Sequence, residues 1–321
     1  MEKVTVIIPT YKRAESLERA INSVLNQTYK NLELIVVDDN NEDSEYRLAN
    51  EKRLNKYKEL KNFKYIKHSK NKNGAAARNT GIQYATGDYI TFLDDDDIFL
   101  PTRIVKMVNL LKDNPSYGGA YSSVAICKNK RIINVIEANK DGSFELDLLK
   151  QKSFFGTGSN LFIKKEIIEK IGDFDINFTR HQDIEYMIRF FEYSNIKSIN
   201  EILVIKCIED QNNKLNYEKM IEVKRLFFKK FDNNIRKYQK EEKSIYFHNI
   251  LELLNKTYDN KIKYKIIKKE LTKYGVYSYK EKIKYFFRKF LYKHTACRKI
   301  LDYLRSLKYS KLTKKLNIEK K

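Results

Sequence analysis

The chain has no tryptophan, and its 321 residues include three prolines, three cysteines and ten glycines. Cys127, Cys207 and Cys297 lie far apart and lack C-x-x-C spacing, so the sequence predicts neither a disulfide framework nor a zinc site. No segment approaches the roughly 18 apolar residues that a membrane-spanning helix needs, and the first residues begin a strand instead of a signal peptide. These absences predict a cytoplasmic protein that is soluble or peripheral on the inner face of the cell membrane.

The net charge of +22 is concentrated in one part of the chain. Residues 211–321 contain 32 Lys and Arg against 11 Asp and Glu, whereas residues 1–210 contain 32 against 31. We therefore predict two regions, a nearly neutral domain over residues 1–212 and a basic helical region over residues 213–321. A basic region of this kind is suited to an anionic partner surface.

Strand and helix patterns alternate in the first part of the chain. Val4–Ile8 and Leu32–Val37 are short apolar runs, typical of strands that are buried on both faces. Residues 14–26 carry apolar side chains at helical spacing, and the pattern repeats with a helix over residues 74–85 and a strand over residues 88–93. The rhythm predicts an α/β fold in which helices cover both faces of a mostly parallel sheet.

The strand-like segments after residue 115 are typical of a mixed sheet, so we expect some antiparallel strands in this part of the sheet. In open sheets of this class, ligands bind at the carboxyl ends of the parallel strands. The polar residues at those ends are Thr10-Tyr11, Asp38-Asp39 and Asp94–Asp97. We expect all three sets to line one crevice.

Four consecutive carboxylates, Asp94–Asp97, directly follow an apolar run. Adjacent anions repel, and some would take up protons unless a cation compensates their charge. Mg²⁺ or Mn²⁺, bound through one or two carboxylates together with substrate phosphates, would supply that compensation. A solvated acidic turn is the alternative. For Asp97 we predict a capping role at the helix near Pro101.

Six segments, in order, resemble the family 2 glycosyltransferases with the GT-A fold, including their D-x-D strand. The segments are Val4–Arg13, Leu25–Tyr29, Leu34–Asp39, Asn73–Asn79, Tyr89–Asp97 and Gly172–Asp175, the last followed by Gln182-Asp183. The similarity runs from Val4 to about Phe191. It implies a Rossmann-like nucleotide-diphospho-sugar transferase domain of the bacterial surface-polysaccharide type, followed here by the basic helical region.

The resemblance also implies roles for individual residues. Asp96 would be the direct ligand of Mg²⁺ or Mn²⁺, while Asp39 would accept a hydrogen bond from the base of a nucleotide sugar, most simply a UDP-sugar. The implied nucleotide-sugar contacts are Pro9, Thr10, Tyr11, Arg13, Asp39, Arg78, Asp94 and Asp95. Plainer readings stay open: Asp39 as a turn aspartate, Arg78 in a surface ion pair and Asn79 as a solvated helix residue.

Asp183 stands where the family carries its catalytic aspartate, so the resemblance implies a base for direct, inverting transfer. Gln182 replaces the acidic residue that usually precedes it. The alternative for Asp183 is a helix N-terminal carboxylate that the helix dipole favours. The Gly-rich segment 155–160 would line the sugar or acceptor pocket, with a plain loop equally open.

Residues 280–308 combine apolar positions at helical spacing with Lys and Arg on the other faces. Such a helix is suited to an anionic bilayer surface, or alternatively packs on the catalytic domain. The expected function is an inverting, metal-dependent hexosyl- or N-acetylhexosaminyltransferase acting on a glycan or lipid-linked glycan in cell-surface polysaccharide synthesis. The alternative is a catalytically inactive, GT-A-like protein that binds a nucleotide sugar or nucleic acid. No nucleic-acid-binding motif occurs, so no nucleic-acid partner is expected.

Overall fold

The computed structural model describes residues 1–208, 217–255, 268–269, 272–275 and 307–316. Its contacts divide the chain into two compact units. The first unit contains residues 1–143, 154–210 and 309–321, and the second contains residues 144–153 and 211–308. This partition differs from the predicted cut at residue 212, because a short internal segment belongs with the second unit and the C-terminal end belongs with the first.

The first unit is built on one mixed sheet. Its strands are β1 (Val4–Thr10), β2 (Leu32–Asp38), β3 (Phe63–Lys67), β4 (Tyr89–Phe92), β5 (Ile98–Phe99), β6 (Gly119–Lys128), β7 (Arg131–Ile136), β8 (Phe162–Lys164) and β9 (Ile196–Ile208). The order is β3-β2-β1-β4-β8-β6-β9-β5, and β7 pairs with β6. The strands β1 to β4 and the long β6–β9 pair run parallel, whereas β5, β7 and β8 pair antiparallel. The predicted fold class is therefore confirmed.

Helices pack on this sheet through apolar faces. Those of the first unit are α1 (Ala14–Leu25), α2 (Glu45–Leu54), α3 (Gly74–Tyr84), α4 (Arg103–Asp113), α6 (Lys165–Ile171) and α7 (Gln182–Phe190). α1 buries its apolar stripe, with Leu17, Ile21 and Val24 facing inward as the spacing predicts. α2 is followed directly by one 3₁₀ turn at Asn55–Tyr57.

The C-terminal end of the first unit is a short helix that we label α11 (Ser310–Lys315). Leu312 and Leu316 pack against a buried cluster that includes Ile98 and Ile205. The backbone N–H of Ile132, on β7, donates to Thr313 Oγ1 at 3.1 Å. The end of the chain thus covers the part of the sheet around β5, β7 and β9.

The second unit is helical in its described part, with α5 (Glu145–Leu149), α8 (Tyr217–Lys230), α9 (Asp232–Lys237) and α10 (Glu242–Asn255). Asn234 Nδ2 and Tyr238 OH donate to the Glu145 carboxylate at 2.6 and 2.8 Å, which joins α9 to α5. Of the predicted amphipathic helix, residues 280–306 lie outside the described residues. Among the helices that are described, none has the length and apolarity to cross a bilayer.

Gly81 lets helix α3 pack closely on Ile7 of β1. A Cβ at residue 81 would overlap Ile7 Cγ2 and lie 3.1 Å from its Cδ1. We predict that Gly81→Ala destabilises the protein by about 1–3 kcal/mol, since overpacking outweighs the gain in helix propensity. Urea unfolding measures this effect. Exposed Gln83→Ala on the same helix should change stability by less than about 0.5 kcal/mol. Equal stability of wild type and Gly81→Ala would contradict the close packing.

Candidate active site

The carboxyl ends of β1, β2 and β4 meet at one edge of the sheet. Asp39 N donates to the carbonyl of Thr10 at 2.9 Å, and Thr10 Oγ1 donates to Asp95 Oδ2 at 2.7 Å. The structure therefore brings together Thr10, Asp39 and Asp95, one member of each set that the strand pattern placed in one crevice. The Asp38 carboxylate is instead buried against Asn50 and Tyr65. Pro9 lies within β1, paired with Val37 of β2. Tyr11 follows β1 and is 41% exposed, with the Lys12 ammonium 5.1 Å from its ring centroid.

Asp95 points inward from this edge and is buried. It accepts hydrogen bonds from Thr10 Oγ1, from Tyr11 N at 3.3 Å and from Arg13 Nη1 at 3.1 Å. Burial raises the pKa of Asp95 to about 7, against the opposing effect of the Arg13 charge. Asp95 thus ties the loop after β1 to the acidic cluster. The nucleotide-sugar contact that the resemblance implies for Asp95 stays a prediction.

Asp97 does not cap the helix that begins near Pro101, so that expectation is wrong. The N-terminal cap of α4 is Thr102, without a side-chain cap hydrogen bond. Asp97 is instead fully buried and accepts from Thr157 Oγ1 at 3.0 Å, Ser159 Oγ at 2.6 Å and Cys207 N at 3.1 Å. Burial, followed by the charges of its acidic neighbours, raises the pKa of Asp97 above the ordinary range.

The Gly-rich segment 155–160 is fastened to the acidic cluster by these hydroxyls. Ser159 Oγ also accepts the backbone N–H of Asp94 at 3.0 Å, so this one hydroxyl contacts both Asp94 and Asp97. Thr157 Oγ1 accepts from Ser159 N at 3.4 Å, which closes a short 3₁₀ turn. The segment is therefore an ordered part of the site's wall.

Arg103 also holds the Gly-rich segment in place through hydrogen bonds, and the sequence analysis did not identify this residue. It is fully buried, and its guanidinium donates to Ser122 Oγ, Asn160 Oδ1 and the Ser159 carbonyl at 3.1 to 3.3 Å. The Phe99 ring lies 4.6 Å from its Cζ. Its burial could have been predicted from helical spacing, because Arg103 lies four residues before the buried Met107 on the apolar face of α4.

Arg78 links the acidic cluster to α7. Its Nη2 lies 2.6 Å from Asp94 Oδ1, and its Nη1 donates to Gln182 Oε1 at 2.9 Å. Its side chain is 14% exposed, so the reading as a surface ion pair does not hold. Gly74 leaves room for this arrangement, since a Cβ there would lie 3.1 Å from Arg78 Nη1. Gln182 Nε2 donates in turn to the Phe178 carbonyl at 2.7 Å.

Asn79 is buried, and the reading as a solvated helix residue is therefore wrong. Its amide exchanges two hydrogen bonds with the backbone of Phe174, at 2.9 and 2.8 Å. Phe174 stacks on Tyr186 of α7 at a centroid distance of 3.9 Å. Asn79 thus holds the Gly172–Asp175 segment between α3 and α7.

Asp183 lies in the first turn of α7, beside the Gly-rich segment. One carboxylate oxygen accepts the N–H of Ile184 at 2.9 Å. A Cβ built on Gly158 would lie 3.5 Å from Asp183 Cβ, so the glycine backbone passes directly alongside it. Because Arg78 contacts Gln182, Asp183 is one residue away from a network that reaches Asp94.

Asp39 holds the loop before α3 in this structure. Its two oxygens accept from His68 Nδ1 and Lys72 N, and from Asn71 Nδ2 and Asn73 N, at 2.7 to 2.9 Å. A nucleotide base would have to replace one of these donors. The base contact implied for Asp39 therefore stays a prediction.

The donor set at Asp96 suits a cation that arrives with phosphate. In the part of the chain that the structure describes, no three His, Cys, Asp or Glu side chains converge on a metal position. Asp96 is 14% exposed at its side chain and forms an ion pair with Arg13, while Arg19 Nη2 reaches its carbonyl at 3.2 Å. One or two carboxylates completed by phosphate and water are the usual Mg²⁺ arrangement, which fits these residues.

The two hydroxyls on Asp97 yield a prediction. We expect Thr157→Val and Ser159→Ala each to lower the free energy of unfolding by about 1–3 kcal/mol, since each removes a donor from a buried carboxylate. Both donors contact Oδ2, so the double variant should depart from additivity. Urea unfolding measures all three variants, with Thr157→Ser as the control that keeps the hydroxyl. If Thr157→Val lowered the free energy of unfolding no more than Thr157→Ser does, the role of this hydrogen bond would be contradicted.

Several curated proteins resemble the chain. The amylovoran biosynthesis glycosyltransferase AmsB of Erwinia amylovora is 32% identical over 191 residues, covering 58% of this chain and 62% of AmsB. The poly(ribitol-phosphate) β-N-acetylglucosaminyltransferase TarP of Staphylococcus aureus is 29% identical over 224 residues, covering 66% of each chain. WfgD of Escherichia coli, a UDP-Glc:α-D-GlcNAc-diphosphoundecaprenol β-1,3-glucosyltransferase, is 27% identical over 69% of this chain and 83% of its own length. The chain thus spans less than two thirds of AmsB.

Solved structures share the fold. Residues 1–349 of S. aureus TarS in complex with UDP-GlcNAc superpose with a TM-score of 0.56 at 17% identity, covering 70% of this chain and 65% of TarS 1–349. The architecture described above is therefore that of a GT-A domain. The sequence family Glycosyl transferase family 2 matches residues 5–172, a span that holds β1 to β4, the acidic cluster and the Gly-rich segment. By this match over more than half of its length, the chain belongs to glycosyl transferase family 2.

Proposed function

We propose that the chain is an inverting, metal-dependent glycosyltransferase that moves a hexosyl or N-acetylhexosaminyl group from a UDP-sugar to a glycan or lipid-linked glycan in cell-surface polysaccharide synthesis. One observation carries the proposal. Arg78 joins Asp94 of the acidic cluster to Gln182, the neighbour of Asp183. The candidate base is therefore the sequence neighbour of a residue whose hydrogen bonds reach the acidic cluster.

The donor end of the network has the charges that a diphosphate leaving group requires. Negative charge grows on the diphosphate as its bond to the anomeric carbon breaks, and nearby cations stabilise it. Arg13 and Arg78 already flank the cluster. Mg²⁺ or Mn²⁺, held by Asp96 and the diphosphate, would supply further stabilisation as a Lewis acid. The exposed ring of Tyr11, on the same loop as Arg13, is suited to contact the base.

The acceptor end needs a carboxylate that can take a proton from a hydroxyl group. Asp183 is partly exposed at the start of α7, and Gly158 brings only backbone against its side chain. An acceptor hydroxyl bound there would lose its proton to Asp183 while attacking the anomeric carbon. A single displacement of this kind inverts the configuration of that carbon.

The relatives support the choice of substrates. AmsB is named for amylovoran biosynthesis, TarP for poly(ribitol-phosphate), and WfgD for UDP-Glc and GlcNAc-diphosphoundecaprenol. TarS structures contain UDP and UDP-GlcNAc. A lipid-linked acceptor would lie at a membrane surface, which suits the excess of Lys and Arg in residues 211–321 and a peripheral position on the inner face of the cell membrane.

The alternative is an inactive protein that binds a nucleotide sugar, and Gln182 is the observation that raises it. Gln182 Oε1 nevertheless accepts from Arg78 as a carboxylate oxygen would. The amide therefore preserves this part of the network. Transfer of sugar from a panel of UDP-sugars to glycan acceptors distinguishes the two functions.

We predict that Asp96→Ala abolishes metal-dependent UDP binding, because it removes the carboxylate proposed to hold the cation. Calorimetry with UDP in the presence of Mn²⁺ or EDTA measures the effect. Asp113→Asn, at the exposed end of α4, is the control and should bind as the wild type does. Metal-dependent UDP binding by Asp96→Ala at wild-type strength would sink the assignment.

We predict that Asp183→Asn keeps UDP binding but lowers the transfer rate by about 10²–10⁴-fold, the usual contribution of a general base. Chromatographic detection of the glycosylated product measures transfer, and calorimetry on the same samples measures binding. The amide conserves the size of the side chain. If Asp183→Asn turned over normally, the base would lie elsewhere in the site.

A further inference from the structure

Arg13 contacts two carboxylates of the acidic cluster with one guanidinium. Its Nη1 lies 3.1 Å from Asp95 Oδ1 and also forms an ion pair with Asp96 Oδ2. Asp95 is buried and held by Thr10, so its position is fixed by the end of β1. The guanidinium therefore occupies Asp96 Oδ2, one of the two oxygens with which this carboxylate could bind a cation.

Two other arginines lie near the cluster and differ from Arg13 in what they contact. Arg78 pairs with Asp94, and its second nitrogen is bound to Gln182. Arg19 reaches Asp96 through the backbone carbonyl, at 3.2 Å. Arg13, by contrast, pairs directly with the carboxylate proposed to hold the metal.

The position of Arg13 along the chain would let its side chain bind a second partner, the diphosphate of the donor. Arg13 is the N-cap residue of α1, at the end of the short loop that follows Thr10 of β1 and carries Tyr11. The proposed nucleotide sugar binds against this same loop. A diphosphate placed between the loop and Asp96 would lie within reach of a side chain as long as arginine, and guanidinium groups pair readily with phosphate oxygens.

We propose that Arg13 is the internal counter-ion of Asp96 and that it couples cation binding to donor binding. Without donor, a divalent cation must displace the guanidinium from Asp96. With donor, the displaced guanidinium pairs with the diphosphate, so the cation no longer competes with it. This role rests on the proposed metal-dependent function and adds to it an order of affinities, weak for the cation alone and strong for cation and donor together.

The physical reason is that two cations cannot share one face of a carboxylate without strong repulsion. Any energy that the Arg13–Asp96 pair gains is lost when a metal ion replaces the guanidinium. The donor restores it by offering phosphate oxygens instead. By linkage, the cation must then strengthen donor binding by the same factor by which the donor strengthens cation binding.

The test measures Mn²⁺ affinity of the full chain by electron paramagnetic resonance, with and without UDP, for the wild type and Arg13→Gln. Without UDP, Arg13→Gln should bind Mn²⁺ about tenfold more tightly, as expected for the loss of a partly buried ion pair. The factor by which UDP tightens Mn²⁺ binding should fall to the same extent. Unchanged or weaker Mn²⁺ binding by Arg13→Gln would overturn the role of Arg13.

Arg19→Gln is the matched control, because it removes the same charge from the same neighbourhood but contacts the Asp96 carbonyl. If it tightened Mn²⁺ binding as much as Arg13→Gln, general electrostatics would explain both effects and the proposal would fail. Arg13→Lys should retain part of the competition. If the wild type bound no Mn²⁺ even with UDP, the metal dependence itself would be refuted. If the wild type bound Mn²⁺ and Arg13→Gln bound it with the same affinity, only the coupling would be refuted.

Discussion

The repulsion among Asp94, Asp95, Asp96 and Asp97 is the constraint on which the site depends. The chain meets it in a turn that follows β4, in which Asp97 N donates to the Asp94 carbonyl at 3.0 Å. Asp95 and Asp97 point inward and are buried, while Asp94 and Asp96 stay partly exposed, with side-chain exposures of 34% and 14%. The inward pair is supplied with protein donors, and the outward pair is balanced by arginines. Asp94 and Asp96, the exposed members, are the two aspartates that the resemblance assigns to the D-x-D strand.

The inward carboxylates organise segments that are distant in sequence. Asp95 fastens the loop after β1, and Asp97 fastens both the Gly-rich segment and β9 through Cys207 N. The Gly-rich segment then passes Asp183 at Gly158. The geometry between the acidic cluster and the candidate base therefore depends on hydrogen bonds to Asp95 and Asp97.

Much of this site could be predicted because its signals are local. Apolar runs mark β1, β2 and β4, and parallel strands bring their carboxyl ends to one edge, where Thr10, Asp39 and Asp95 meet. The capping role predicted for Asp97 was wrong, although a carboxylate shortly before a helix often caps its N-terminus. Its actual partners lie 60 to 110 residues away, and no local pattern announces them.

Arg103 illustrates the same limit. Its acceptors come from β6 and from two neighbouring residues of the Gly-rich segment, and only the folded chain assembles them. Its charge suggested a surface residue, while its phase on α4 suggested burial. Burial prevailed because three oxygens and the Phe99 ring surround the guanidinium, although its Nε lacks a hydrogen-bond partner. Polar satisfaction from distant segments decided the outcome, as it did for Asp97.

Gln182 shows how a departure from the family pattern can be accommodated by the network. An acidic residue there would pair with Arg78 and neutralise part of its charge, whereas the amide oxygen accepts the same hydrogen bond without a charge of its own. The amide nitrogen meanwhile binds the Phe178 carbonyl, which an ionised carboxylate would not donate to. Arg78 therefore keeps its position, and its positive charge is less neutralised by its neighbours. In the proposed reaction, that charge faces the Asp94 side of the cluster, where the leaving diphosphate would gather its negative charge.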